Sequence, residues 1–168
     1  MPINLVVIKH RLLVIYMAIY MKIIFSTLVI YLITSTISMA SELKPFTTDG
    51  CSAFPNGTFA QQSLWANCCI SHDFAYWKGG TNQQRLEADK QLENCVAEAG
   101  EPEIARIMLA GVRVGGSPHL YTPFRWGYGW PYSRGYGELT ADEKTEINKK
   151  LKILKVMIDS LSRQLDLH

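Results

Sequence analysis

Cys68-Cys69-Ile70-Ser71-His72-Asp73-Phe74-Ala75-Tyr76 sets a potential base beside a potential cation ligand, one helical turn after two adjacent cysteines. Written on a helix, Trp65, Cys69, His72, Asp73 and Tyr76 recur at three- and four-residue spacing and share one broad face. Asp89 follows Asp73 by sixteen residues, and Cys95 follows Asp89 by six. Between these two groups lies Gly79-Gly80, which ends a helix by supplying positive φ without steric cost. Thr81 and Gln84 then read as a capping box that opens the next helix. The spacing predicts one helix over 61–77 and a second reaching about Ala99. So short a connection makes them antiparallel neighbours. His72 and Asp89 are then roughly equidistant from the turn and face one another. A histidine, two carboxylates and paired cysteines in one helical hairpin suggest a fixed polar centre more than a solvated surface.

Outward from the hairpin, residues 41–60 contain Pro45, Gly50, Pro55 and Gly57 and read as irregular loop. Asn56-Gly57-Thr58 matches a glycosylation sequon. Asp49, before Gly50, reads as a turn residue. Pro102 starts a third helix to about Val112, with Ile104, Ile107 and Met108 on one face. Residues 115–139 are rich in glycine and aromatics (Tyr121, Phe124, Trp126, Tyr128, Trp130, Tyr132, Tyr136) and keep no helical period. A short hairpin near 124–134 is the only strand candidate. The stretch suits a packed loop over the site or an interfacial lipid-binding surface. Thr140 and Glu143 cap a last helix within 140–168. Its apolar positions Ile147, Leu151, Leu154, Ile158, Leu161 and Leu165 form a narrow seam, suited to packing on its own domain or to a homodimer.

The first forty residues carry Lys9, Arg11 and Lys22 but no acidic residue. From Met21, the expected true start, a basic beginning, an apolar core over 23–33 and the small-residue site Ser38-Met39-Ala40 read as a signal peptide cleaved before Ser41. A retained membrane anchor is the alternative, since the apolar run extends upstream from Leu12. Without residues 1–40, 14 basic residues stand against 15 acidic ones. That near-neutral balance argues against a nucleic-acid partner, which requires a concentrated basic surface. All four cysteines, Cys51, Cys68, Cys69 and Cys95, fall in the remainder. An even count in an exported domain implies two disulfides and a secreted or periplasmic location. Vicinal Cys68–Cys69 pairing is geometrically implausible. Two crossed pairings remain, each tying the loop at Cys51 and the helix at Cys95 to the central helix.

A histidine serves as a general base near neutral pH, and does so best when a carboxylate fixes its tautomer. Asp89 is the candidate for that role. Asp73 faces the same side and could hold a hard cation such as Ca²⁺, completed by backbone carbonyls of the adjoining loop. Such an ion polarises a carbonyl and stabilises an oxyanion. Zinc held by the cysteines and His72 is a further reading, and it requires free thiols.

The Cys-Cys-x-x-His-Asp-x-x-Tyr order resembles the central helix of the secreted phospholipase A2 superfamily. The resemblance covers about residues 47–96. It implies a mainly α fold: a disulfide-linked antiparallel hairpin within a core over 41–114, then the aromatic loop region and the C-terminal amphipathic helix. It implies the disulfides Cys51–Cys69 and Cys68–Cys95. It implies His72 as the water-activating base, Asp89 as its orienting group, and Tyr76 as a hydrogen-bond partner of Asp89. Asp73 would hold Ca²⁺ with the carbonyls of Gly50, Ser52 and Phe54. The activity implied is calcium-dependent hydrolysis of a glycerophospholipid acyl ester, with a phospholipid or membrane surface as partner. The loop Asp49-Gly50-Cys51-Ser52-Ala53-Phe54-Pro55 departs from the family's glycine-rich pattern. That departure suits the alternative, a non-catalytic lipid- or protein-binding module on the same scaffold.

Overall fold

A computed structural model of the chain describes residues 5–35 and 42–166. It divides into two units, Met1–Ala40 and Ser41–His168. The first is a single helix, α1 (Leu5–Ser35), whose described apolar side chains are exposed. Among the residues whose side chains are described, no helix is long and apolar enough to cross a membrane. The side chains of 29–35 and the segment 36–41, with the expected cleavage site Ser38-Met39-Ala40, lie outside the described residues.

The second unit is helical, with no strand among the described residues. Its elements are α2 (Ala66–Lys78), α3 (Asn82–Glu98), α4 (Pro102–Gly115) and α5 (Ala141–Leu165). α2 packs on α3, and α3 packs on α4. Gly79 and Gly80 turn the chain between α2 and α3 at φ of 68° and 137°. The Thr81 capping box opens α3, with Gln84 N donating to Thr81 Oγ1 and Thr81 N to Gln84 Oε1. Thr140 and Glu143 form the same box at the start of α5.

α2 begins at Ala66, five residues later than the helix expected from 61. Loop contacts override helical propensity there. Trp65 N donates to Asn56 O at 3.1 Å, its indole donates to Pro55 O at 2.6 Å, and Cys51 is bonded to Cys69. The segment before Ala66 is therefore folded back as turns. Cys68 is bonded to Cys95, so adjacent residues of α2 anchor the loop on one side and α3 on the other.

The hairpin expected near 124–134 is absent, and the segment is a series of turns. Its donors go to the end of α2, whose last carbonyls have no intrahelical partner. Gly127 N donates to Tyr76 O at 2.7 Å and Gly129 N to Trp77 O at 3.2 Å. The indoles of Trp130 and Trp126 donate to Lys78 O and Gly80 O at 2.7 and 2.9 Å. Trp126 and Trp130 are thereby buried. Arg125, also buried, donates to the carbonyls of Trp126, Gly127 and Trp130 and holds the turns together. Tyr121, Phe124 and Tyr132 of the same region are exposed, so the aromatic stretch is part plug and part surface.

Three apolar clusters complete the unit. Cys51, Trp65, Cys68, Cys69, Leu92, Val96, Ala105 and Met108 form one beneath the hairpin. Leu43, Trp77, Trp130 and Ile147 form another. Tyr76, Ala88 and Trp126 form a third, next to the polar centre. The seam of α5 is divided: Ile147 and Leu151 pack into the second cluster, while Ile158, Leu161 and Leu165 are exposed.

Candidate functional site

The hairpin geometry delivers three of the residues singled out in the sequence to one point. His72 and Tyr76 are one turn apart on α2, with ring centroids 4.2 Å apart. Asp89 of α3 is fully buried opposite them. Its Oδ1 lies 3.0 Å from His72 Nε2 and accepts from the Tyr76 hydroxyl at 2.6 Å. A carboxylate accepts only, so the bond assigns the imidazole proton to Nε2 and leaves Nδ1 as the proton acceptor. Burial, and then the charge of Asp89, push the Tyr76 hydroxyl far above its ordinary range, which keeps it a donor.

The other oxygen of Asp89 faces two arginines that sequence reasoning missed. Arg113 Nε of α4 is 3.2 Å from Oδ2, and Arg85 Nε is 3.6 Å away. Both are ion-pair contacts rather than aligned hydrogen bonds. Arg85 Nη1 donates to the Tyr136 hydroxyl and Nη2 to Arg113 O, each at 2.7 Å, while Arg113 Nη2 donates to Leu86 O at 2.9 Å. Arg85 stands four residues before Asp89 on one helix, a spacing visible in the sequence. Arg113 reaches it only because α4 docks on α3.

Asp73 follows His72 but is only half-buried. Thr48 Oγ1 donates to its Oδ2 at 2.6 Å. Burial raises its carboxyl from 3.8 to about 6, with Thr48 and His72 opposing the rise and Asp49 adding to it. Asp49, read from the sequence as a turn residue, does accept from Ser52 Oγ at 2.7 Å. It also lines a cleft with Thr47, Thr48, Ser52, Asp73 and Tyr128. Tyr128 donates to Thr47 O at 2.6 Å, and burial, then the charges of Asp73 and Asp49, push its hydroxyl well above the ordinary range. The 50–54 loop is held by Cys51 N donating to Asn56 Oδ1 at 2.7 Å and by a Phe54 N to Cys51 O turn at 2.9 Å. Ala53 adopts φ of 57°, a left-handed conformation costing a side-chain-bearing residue about 1–2 kcal/mol.

These donors fit a hard cation. The two carboxylates and the hydroxyls of Thr48 and Ser52 are all oxygen, the ligand chemistry of Ca²⁺ rather than of a softer metal. All four cysteines are in disulfides, so no thiolate is present for zinc. Among the described residues no cluster of three or more His, Cys, Asp or Glu side chains exists. A cation here would therefore depend on backbone oxygens and water beside Asp73 and Asp49.

His72, Asp73 and the 50–54 loop line one wall of a cavity of about 320 Å³. The remaining lining is largely apolar and includes Leu92, Ile107, Met108, Val112 and Phe124, with Gly111, Gly115 and Gly116 among them. Gly116 is obligatory at its place, since a Cβ there would stand 2.2 Å from the Tyr76 hydroxyl. A histidine fixed by a buried carboxylate, at the edge of a largely apolar cavity, has the chemistry to activate a water beside an apolar ligand. No family model, curated protein or solved structure matches the chain.

Proposed function

We propose that the chain is a calcium-dependent carboxylic ester hydrolase that releases the acyl chain of a glycerophospholipid. The observation that carries this reading is His72, held by Asp89 at 3.0 Å, lining a cavity whose other residues are largely apolar. His72 Nδ1 would take the proton of a water molecule as that water attacks the ester carbonyl, and would return it to the glycerol oxygen as the ester C–O bond breaks, releasing the fatty acid and the alcohol. Asp89 would hold the ring in the tautomer that leaves Nδ1 free, and Tyr76 would hold Asp89. Asp73, with Asp49 and the carbonyls of Gly50, Ser52 and Phe54, would hold Ca²⁺, which supplies charge stabilisation for the oxyanion. The two disulfides place the domain in an oxidising, non-cytosolic compartment. Secretion or periplasmic release after removal of residues 1–40 is our reading, and retention by that segment is the alternative.

The 50–54 loop favours a second reading. With Gly50 its only glycine, it departs from the glycine-rich pattern of a calcium loop, which suits a non-catalytic lipid- or protein-binding module. One experiment separates the two. Fatty-acid release from phospholipid is measured with and without Ca²⁺ for the wild type and His72→Gln, with calcium binding followed by calorimetry. A general base contributes about 10²–10⁴-fold. Release should fall by that factor in His72→Gln while calcium binding survives. Comparable release by both proteins would refute the mechanism. Lipid binding without release by the wild type would establish the module.

A further inference from the structure

The distal half of α5 carries an apolar face that no described residue of the domain covers. Ile147 is buried, and Leu151 packs beside it against the cluster of Leu43, Trp77 and Trp130. Farther along, Ile158, Leu161 and Leu165 are 53%, 57% and 76% exposed, and Ile153 and Met157 are exposed as well. At 100° per residue these side chains and Leu154 span an arc of about 140°. That is wider than the seam of a two-stranded coil and has the width of a helix meeting an apolar phase.

Charge indicates which phase. Residues 149–166 carry Lys149, Lys150, Lys152, Lys155 and Arg163 against Asp159 and Asp166. Residues 41–148 carry nine basic residues against thirteen acidic ones. A basic amphipathic segment therefore extends from an otherwise acidic domain. The same charges disfavour a second copy as occupant. With Leu151, Leu154, Ile158, Leu161 and Leu165 as the seam, the flanking positions are Lys150, Lys155, Met157, Ser162 and Gln164. In a parallel pair Lys150 would meet Lys155, and no acidic residue stands at any flank to compensate.

We propose that Lys152–Leu165 lies on an anionic lipid surface, its apolar row in the acyl boundary and its lysines among the head groups. This surface is separate from the cavity and does not depend on the hydrolase reading. The test is hydrogen exchange of the 153–165 peptide in the full chain, with chelator present so that no turnover is required. Vesicles of phosphatidylglycerol with phosphatidylcholine should protect that peptide, and pure phosphatidylcholine should not. Lys152→Gln with Lys155→Gln should weaken binding about 25-fold, about fivefold per lysine. Ile158→Glu with Leu161→Glu should abolish the protection without moving the melting temperature, because both side chains are exposed. No protection on anionic vesicles, or equal protection on neutral ones, would overturn the proposal. So would protection that grows with protein concentration in the absence of lipid, together with a dimer mass.

Discussion

Asp73 is half-buried, and that decides its behaviour with pH. Its carboxyl titrates at about 6 in the metal-free fold, above the ordinary 3.8. The fold therefore prefers the protonated form. The stability this group contributes is complete below about pH 4 and is lost as pH rises through 6. A bound cation reverses the preference by favouring the carboxylate, so protons and calcium compete. We expect calcium to raise the melting temperature at pH 7.5, and its affinity to fall about tenfold for each unit below pH 6. In Asp73→Asn both the calcium response and its pH dependence should vanish. An equal calcium shift at pH 5 and pH 7.5 would remove Asp73 from the ion site. At this scale much was legible. The i, i+4 spacing and the Gly79-Gly80 turn suffice to bring His72, Tyr76 and Asp89 together, because regular helices convert spacing into direction. Arg113 and the placing of Asp49 beside Asp73 were not legible. One depends on how α4 docks, the other on a loop whose path is set by a disulfide and by Asn56.

Among the elements, α4 is where stability and use conflict. Gly111 and Gly115 lie in line with Ile107 along the cavity wall. A Cβ at either glycine would meet nothing within 4 Å. Gly115 is the last residue of α4. Glycine in a helix interior is about 1 kcal/mol worse than alanine, so at Gly111 nothing in the local structure favours glycine. The open space it leaves is consistent with an occupant. Gly111→Leu should therefore raise the melting temperature through helix propensity. It should also lower kcat/KM on long-chain esters more than on short-chain ones, because the new side chain fills the trough. The check is a thermal scan beside rates on an acyl series, and unchanged long-chain rates would mean the trough is not the acyl site. Helix starts at Thr81, Pro102 and Thr140 were legible because caps are local chemistry. The start of α2 was not, because Asn56 and Pro55 claim Trp65 from outside the helix. The α5 seam was legible as amphipathic, but its spacing could not tell which turns would be covered.

For the whole molecule, the two disulfides perform different tasks despite leaving α2 from adjacent residues. Cys68–Cys95 ties α2 to α3 and so backs the His72–Asp89 contact. Cys51–Cys69 ties the 50–54 loop to α2 and so fixes the wall that Asp73 shares. They span 18 and 27 residues, for which loop-closure entropy gives about 3 kcal/mol each. Equal energies with unequal geometry make a sharp expectation. Cys51→Ala with Cys69→Ala and Cys68→Ala with Cys95→Ala should each lower unfolding free energy in denaturant by about 2–5 kcal/mol. Only the first pair should abolish calcium binding measured well below the melting temperature, since only it releases the loop. The second should leave calcium binding nearly intact and reduce turnover through the base, because Asp89 is then positioned only by its hydrogen bonds and ion pairs. If both variants lost calcium to the same degree, the loop would not be an independently anchored ligand, and the ion site would have to be sought elsewhere on the hairpin.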